Sequence, residues 1–242
     1  MLVRVRPEAP LKFLIFVSIK AKIPLPHALI WDWDGTVVDS HQLIKQAFLK
    51  VANDFSLSNV QIADAEANLG SVALSDYFPD LFGELEWLQA KDKFYEFITA
   101  RHLSYLSPIN GSVEFIKMIS QQYPNISQAV VSNKRGDLLR LEVSALELTD
   151  TFVNVIGAGD FALSKPNAEL VKIALGQADL SHNSVIYVVG DSQTDINLAR
   201  NACLKAIFYG ENLPKDSDDV ILANFCNYQE LTSVFGLYSR LH

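Results

Sequence analysis

Short apolar runs rich in β-branched residues recur along the chain, and each is followed by glycine or polar residues. A continuous apolar run is typical of a strand buried on both faces, as strands are in parallel sheets. Patterns of helical spacing separate most of the runs, and strands that alternate with helices indicate βαβ units. We therefore predict an α/β fold with a doubly wound, mainly parallel, Rossmann-like sheet. The predicted strands are Ala28–Trp31, Ala129–Val131, Phe152–Ile156, Val185–Val189 and Ala206–Tyr209.

The stretch that follows the first predicted strand has a different pattern. Its apolar residues recur at helical spacing, as in the stripe of Leu43, Ala47 and Val51, and Ser40 is the expected N-cap of that helix. Glu84–Leu103 is predicted to form one long helix. No strand-like run of similar quality interrupts the stretch, so we expect a helical cap inserted into the core. The expected division is 1–27 for an N-terminal extension of unknown role, 28–40 and 107–238 for the core, and 41–106 for the cap.

The charge of the chain and its targeting signals limit the classes of partner that it can have. Its formal net charge of -8 disfavours a nucleic-acid binder, because phosphate contacts need clustered Lys and Arg. The apolar segment Leu11–Ile19 is too short to span a bilayer, which takes roughly 20 residues, and no small-residue cleavage site follows it. Cys203 and Cys226 lack metal-type spacing, and we interpret both as buried thiols in a reducing compartment. We expect a cytoplasmic protein with no nucleic-acid or membrane partner.

Polar and charged side chains follow several of the predicted strands. In an open α/β sheet the carboxyl ends of parallel strands lie at the edge where ligands bind. We therefore expect these side chains to form one site. The segments are Asp32-Trp33-Asp34-Gly35-Thr36, Ser132-Asn133-Lys134, Lys165-Pro166, and Gly190-Asp191-Ser192 with Asp195.

The expected site combines crowded carboxylates with ammonium groups and a hydroxyl. Close carboxylates are tolerated when a divalent cation lies between them, and Mg²⁺ prefers oxygen ligands. A lysine beside such a site holds an anion as a point charge. An anion that bridges a metal ion and a lysine is most naturally a phosphoryl group, which an aspartate can also attack. No P-loop pattern is present, so nucleoside-triphosphate hydrolysis by that route is disfavoured.

In order and spacing, these segments resemble the four motifs of the haloacid dehalogenase superfamily. The helical interval between the first and second motifs resembles the cap of its subfamily I, the C1 type. Ser-Asn-Lys and Gly-Asp-Ser look most like the phosphoglycolate-phosphatase-like branch. The resemblance covers about residues 28 to 237, nearly all of the chain apart from the N-terminal extension.

The resemblance implies a role for each motif residue in catalysis. Asp32 would be the nucleophile and a Mg²⁺ ligand. Asp34 would protonate the leaving oxygen and then activate water, while its backbone carbonyl contacts Mg²⁺. Ser132 would hydrogen-bond the phosphoryl oxygens, and Lys165 would neutralise charge on Asp32 and the phosphoryl group.

Further residues are implied in metal and substrate binding. Asp191 would ligate Mg²⁺ through its side chain, and Asp195 would support the metal directly or through a neighbour. The expected substrate contacts are Thr36, Ser132, Asn133, Lys165 and, in a cap loop, Gly70. Asp39 is expected to steady the loop or the following helix, and the orientation of Trp33 stays open.

The implied function is Mg²⁺-dependent hydrolysis of a small phosphate monoester, phosphoglycolate-like or a sugar phosphate, through an aspartyl-phosphate. A phosphosugar mutase would use the same residues and stays open as an alternative. A dehalogenase is disfavoured, because dehalogenases of the superfamily lack the second aspartate, which is present as Asp34. The alternative of another class is a non-catalytic binding or regulatory protein on this scaffold. It is disfavoured, because binding alone would not require the catalytic acid.

Overall fold

A six-stranded parallel sheet forms the centre of the molecule, in the order β3-β2-β1-β4-β5-β6. The computed structural model describes residues 22–66, 74–176, 178–181 and 183–237. The order reverses on either side of β1, as in a doubly wound fold, so the predicted fold class is confirmed. The strands are β1 (Ala28–Trp31), β2 (Ser127–Arg135), β3 (Asn154–Ala158), β4 (Ile186–Gly190), β5 (Lys205–Tyr209) and β6 (Ile221–Phe225).

Strand β1 shows why its sequence is a continuous apolar run. It lies between β2 and β4, and all of its residues are buried. Leu29 and Trp31 pack into the apolar cluster on one face of the sheet, and Ala28 and Ile30 pack into the cluster on the other. Helices cover both faces, so neither side of the strand can be polar.

Strand β6 was not predicted from the sequence. It is an edge strand, paired only with β5 among the described residues. Most of its residues are partly or fully exposed, and Asn224 interrupts its apolar pattern. A half-exposed edge strand lacks the apolar run by which the central strands were recognised.

Helices connect the strands, and several of them follow β1 before the chain reaches β2. The long helix predicted over Glu84–Leu103 is shorter than expected, since α4 begins at Trp87 and ends at Arg101. The helices are α1 (His41–Asp54), α2 (Asn59–Glu66), α3 (Leu74–Phe82), α4 (Trp87–Arg101), α5 (Ser112–Gln122), α6 (Gly136–Ala145), α7 (Glu169–Leu175), α8 (Gln193–Asn201) and α9 (Tyr228–Val234).

The helices between β1 and α5 share an apolar cluster of their own. Phe48, Phe78 and Phe94 are buried in it, and Leu138 of α6 joins them from beneath. This packing supports the proposed division into cap and core, which remains a prediction. Gly70, the cap residue expected to contact substrate, lies outside the described residues, as does most of the N-terminal extension.

One smaller sequence interpretation holds only in part, and another is wrong. Ser40 is the N-cap residue of α1, but its side chain makes no capping hydrogen bond, and its buried Oγ has no hydrogen-bond partner among the described residues. Asp39 Oδ1 instead accepts a hydrogen bond from the His41 N–H at 3.0 Å. Cys203 is exposed and Cys226 is partly exposed, so neither is the buried thiol that we expected. Cys203 has φ +56° in the turn that follows α8, which ends at Asn201.

No helix within the described ranges is long and apolar enough to cross a membrane.

The beginning of α1 allows a prediction about stability. Asp39→Ala removes the acceptor of the first helical N–H and should lower the free energy of unfolding by about 0.5–2 kcal/mol. Ser40→Ala removes a buried hydroxyl without a partner, so stability should stay within about 0.5 kcal/mol of the wild type or rise. Urea unfolding of both variants checks this. An equal loss in the two variants would show that the serine does cap the helix.

Candidate active site

The candidate site lies at the carboxyl ends of three adjacent strands. Asp32 follows β1, Ser132 lies near the end of β2, and Asp191 follows β4. Since β1 is paired with both β2 and β4, the three chain segments leave the sheet side by side. Lys165 reaches the same place from the loop after β3, and Asp195 from the first turn of α8.

A buried lysine joins two of the predicted carboxylates. Lys165 Nζ donates to Asp32 Oδ1 at 2.5 Å and to Asp195 Oδ1 at 2.7 Å. All three side chains are less than a tenth exposed. Burial alone would lower the pKa of Lys165, but the neighbouring carboxylates Asp195 and Asp32 raise it above its ordinary value. The lysine is therefore a permanent cation at the centre of the site.

The cluster nevertheless carries an excess of negative charge. Asp32, Asp191 and Asp195 each offer an oxygen, and these oxygens lie within 4.8 Å of one another. Burial, and then the charge of Asp195, raise the pKa of Asp32 above its ordinary value, against the opposing effect of Lys165. Burial and Asp195 also raise the pKa of Asp191 to about 6. One ammonium group does not balance three carboxylates, and an all-oxygen set of this kind suits a hard divalent cation such as Mg²⁺.

Two glycines make this crowding sterically possible. A Cβ at Gly35 would lie 2.3 Å from Asp191 Oδ2, and a Cβ at Gly190 would lie 2.3 Å from Asp195 Cγ. Gly35 also has φ +85°, which residues with a Cβ rarely adopt. The glycines of the first and last motifs are therefore required by the close approach of carboxylates from other segments.

Asp195 is held by its own helix as well as by Lys165. Ser192 is the N-cap of α8, and its backbone N–H and its Oγ donate to Asp195 Oδ2 at 3.1 and 2.6 Å. Both carboxylate oxygens of Asp195 are thus hydrogen-bonded. We infer that Asp195 first of all fixes Lys165 and the start of α8.

Thr36 does not have the surroundings expected of a substrate contact. It is fully buried, its Oγ1 donates to Asp191 Oδ1 at 2.9 Å, and its carbonyl accepts from Tyr228 Oη at 2.7 Å. Thr36 therefore orients Asp191. Its predicted contact with substrate remains a prediction.

Asp34 points away from the carboxylate cluster. Its Oδ1 accepts a hydrogen bond from Lys134 Nζ at 2.9 Å, and its side chain is absent from the group of described carboxylates that could together hold a metal ion. If Asp34 contacts the metal, its backbone carbonyl would provide the ligand, as the sequence resemblance implies. Its carboxylate lies in surroundings of its own.

Ser132 and Asn133 lie in β2, where the register of its pairing with β3 shifts. Ser132 is buried, and its Oγ accepts from the Lys134 N–H at 3.2 Å. Asn133 Oδ1 accepts from the Lys165 N–H at 3.0 Å. Asn133 therefore anchors the loop that carries the buried lysine. Its predicted contact with substrate remains a prediction.

Sequence reasoning missed a buried network next to Asp34. Trp33 points inward, and its Nε1 donates to Glu142 Oε2 at 2.8 Å. Glu142 also pairs with Lys134, and its Oε1 lies 3.0 Å from His102 Nδ1. His102 is buried as well. Trp33 and Glu142 are far apart along the chain, so only the fold brings them together.

A cleft lies beside this network, between α4 and the ends of β2 and β3. Its volume is about 670 Å³, and its lining includes Lys91, Tyr95, Arg135 and Gly159. Burial raises the pKa of Tyr95, and the charges of Arg135, Asp34 and Lys134 also act on it. Tyr95 therefore lies close to Asp34 and Lys134, although none of the motif residues is among the described residues that line the cleft.

Comparison with known proteins shows which proteins the chain is similar to. Residues 29–209 match the haloacid dehalogenase-like hydrolase family. The chain is 26% identical over 233 residues to a phosphoglycolate phosphatase of Photorhabdus laumondii, covering 88% of this chain and 93% of that protein. It is 25% identical over 185 residues to the pyrophosphatase PpaX of Halalkalibacterium halodurans, covering 76% and 83%. A crystal structure of a haloacid dehalogenase-like hydrolase from Bacteroides fragilis superposes with a TM-score of 0.73 at 16% identity, over 86% of this chain and all of that one.

The raised pKa of Asp191 gives the metal-free protein a predictable pH dependence. Its pKa rises from 3.8 to about 6 on folding, so the folded state favours the protonated form. The stability that it contributes is complete below its pKa in the unfolded chain and is lost as the pH rises through about 6. Asp191→Asn keeps an acceptor for Thr36. It should therefore raise the unfolding free energy by up to about 3 kcal/mol at neutral pH, and much less near pH 4.

Urea unfolding in the presence of a chelator measures this difference. Asp160→Asn is a matched control with the opposite sign, because a hydrogen bond from Arg140 lowers the pKa of Asp160. That variant should lose stability at neutral pH. An equal change in unfolding free energy at both pH values would contradict the inference that the ionised Asp191 destabilises the folded protein. Mg²⁺ should stabilise the wild type at neutral pH and stabilise Asp191→Asn less.

Proposed function

The chain belongs to the haloacid dehalogenase-like hydrolases, and we propose that it is a Mg²⁺-dependent phosphatase acting on a small phosphate monoester. The observation that carries the proposal is the buried cluster in which Lys165 joins Asp32 and Asp195, with Asp191 within reach of the same point. A carboxylate paired with a cation at the end of a central strand, beside a cleft, suits nucleophilic attack on a phosphoryl group.

In the first half of the reaction, an oxygen of Asp32 attacks the phosphorus atom. The bond from phosphorus to the ester oxygen breaks, and the leaving oxygen takes a proton from Asp34. This gives an alcohol and an aspartyl-phosphate on Asp32. Because proton donation by a positioned acid speeds such steps by roughly 10²–10⁴-fold, the placement of Asp34 matters as much as that of the nucleophile.

In the second half, water attacks the phosphorus atom of the aspartyl-phosphate. Asp34, now ionised, takes a proton from the water, and the bond from phosphorus to Asp32 breaks. Inorganic phosphate leaves, Asp32 is regenerated as a carboxylate, and Asp34 again carries its proton. The same side chain thus acts as acid and then as base.

The other residues of the site stabilise charge. Phosphoryl transfer depends mainly on positioning and on neutralising the charge of the equatorial oxygens. Lys165 provides a fixed positive charge beside Asp32, and Ser132 would donate to a phosphoryl oxygen. When bound, Mg²⁺ would supply further positive charge. The donor set fits it: Asp32, Asp191, the Asp34 backbone carbonyl and, directly or indirectly, Asp195 would hold it.

The substrate that we propose is small, a phosphoglycolate-like compound or a sugar phosphate. The cleft of about 670 Å³ is in the size range of sites for small molecules, and we propose that the part of the substrate beyond the phosphoryl group extends towards it. The lining holds acidic Asp92 and Glu96 as well as basic Lys91 and Arg135, so it favours no strongly charged substrate outside the phosphoryl group. Pyrophosphate belongs among the compounds to test, since relatives carry that activity in their names.

A phosphosugar mutase remains the second candidate, because it would use the same nucleophile and acid. It would return the phosphoryl group to a sugar rather than to water. Release of inorganic phosphate in the absence of a sugar bisphosphate separates the two. A screen of phosphorylated metabolites, with phosphate release as the readout, would identify the substrate class.

Replacement of the nucleophile tests the proposal directly. Asp32→Asn keeps the shape of the side chain but removes its nucleophilic charge, so turnover of an aryl phosphate should fall by roughly 10⁴-fold or more. The matched control is Asp54→Asn, which alters an exposed aspartate paired with Lys50 and Lys93 and should leave turnover unchanged. Circular dichroism would verify that both variants fold. Turnover of Asp32→Asn at the wild-type rate would refute the role of Asp32.

Removal of the metal provides an independent prediction. Exhaustive chelation should abolish phosphate release, since the cluster would keep its uncompensated negative charge beside the anionic substrate. Added Mg²⁺ should restore the activity, and thermal unfolding would show that the chelated protein stays folded. Full activity in the chelated protein would rule out the metal requirement.

A further inference from the structure

Glu142 of α6 connects three separate segments of the chain beneath the site. Its Oε2 accepts a hydrogen bond from Trp33 Nε1 at 2.8 Å. Its Oε1 lies 3.0 Å from Lys134 Nζ and 3.0 Å from His102 Nδ1. An ionised carboxylate can only accept, so we assign a hydrogen to His102 Nδ1. The three donors come from the loop after β1, the end of β2 and the end of α4.

Such a group is costly unless its partners are well placed. The side chain of Glu142 is 2% exposed and that of Lys134 is 8% exposed. A buried ion pair stabilises a fold little, whereas the loss of one partner leaves an uncompensated charge. Hydrophobic residues of similar volume would pack the same space at no such cost, which points to a purpose other than stability.

The purpose becomes clear from the other contact of Lys134. The same ammonium group donates to Asp34 Oδ1 at 2.9 Å, so Lys134 lies between the two carboxylates. Asp34 Oδ2 has no hydrogen-bond partner among the described residues, and the side chain of Asp34 is 20% exposed. One oxygen of Asp34 is thus fixed by the protein, and the other is open to a ligand.

The backbone of Asp34 is held by the same carboxylate. Trp33 is the preceding residue, and its indole is fully buried with its N–H on Glu142. Glu142 therefore restrains Asp34 twice, through the main chain next to it and through the lysine on its side chain. Two restraints define where an oxygen lies far better than one does.

We propose that Glu142 is a positioning residue that acts through Lys134 on Asp34. It fixes the ammonium group that holds Asp34 Oδ1, and so presents Oδ2 to the leaving oxygen of the substrate. The inference rests on the proposed phosphatase function and assigns the step that Glu142 serves. In that step the ester bond to phosphorus breaks and the proton of Asp34 passes to the leaving oxygen.

Leaving-group dependence separates positioning from a merely structural role. A dinitrophenolate leaves without help from an acid, whereas a phenolate needs protonation. If Glu142 and Lys134 place the acid, kcat/KM should fall by roughly 10²-fold with phenyl phosphate and by less than about tenfold with dinitrophenyl phosphate. A merely structural role would lower both values by the same factor. The variants are Glu142→Gln and Lys134→Met, assayed as full chains with Mg²⁺.

The control makes the same substitution at a glutamate outside the network. Glu147→Gln alters a glutamate, 85% exposed, that pairs with Lys117 at 3.3 Å, and it should change neither value. In the double variant Glu142→Gln with Lys134→Met, the loss with phenyl phosphate should be clearly smaller than the product of the two single losses, because Glu142 acts in part through Lys134. Additive losses would overturn the proposal.

The outcomes also distinguish this inference from the proposed function. If the wild type releases no phosphate from either ester, the phosphatase proposal itself fails. If the wild type is active and the variants lose activity equally with both esters, or lose none, the inference about Glu142 is wrong. Should Glu142→Gln not fold, Lys134→Met decides alone, since the proposal requires the same selective loss from that variant.

Discussion

The ion cluster around Lys165 is the constraint on which the rest of the site depends. Carboxylates that belong to different parts of the chain approach one another closely enough to share a cation, and a single ammonium group joins two of them. Without the lysine, the edge of the sheet would carry unbalanced buried charge. Several other contacts serve this arrangement. Asn133 anchors the lysine's loop, Ser192 orients Asp195, and two glycines leave room for the approach.

The site separates two kinds of acidic group by giving them different partners. Asp32 and Asp191 share a buried cluster in which their pKa values are raised. Asp34 is only two residues from Asp32 in sequence, yet its carboxylate pairs with a different lysine. Trp33, between them, is buried and bonded to Glu142, and Glu142 in turn pairs with the lysine that holds Asp34. Adjacent residues of one loop can thus be given unlike chemical surroundings.

The central strands and the meeting of motif residues at one edge were predictable, because apolar runs and the geometry of parallel sheets are local or generic properties. The surroundings of individual side chains were not. Nothing in the sequence pairs Trp33 with Glu142, since that contact depends on how α6 packs against the loop after β1. Thr36 matches a motif residue, but its burial depends on the packing of Tyr228, whose Oη donates to the Thr36 carbonyl. Serine is a favoured residue type at helix N-caps, but the first helical N–H, that of His41, bonds to Asp39 and not to Ser40.

The contact between His102 and Glu142 has a consequence for how such proteins diversify. His102 directly follows α4, the last helix of the predicted cap, and Glu142 belongs to α6, a helix of the predicted core. The helical segment is therefore not a freely exchangeable module. A graft from a relative would have to end in a hydrogen-bond donor at this place, or be accompanied by a compensating change in α6. New substrate preferences would then arise more readily by substitutions along the cleft than by recombination of whole segments.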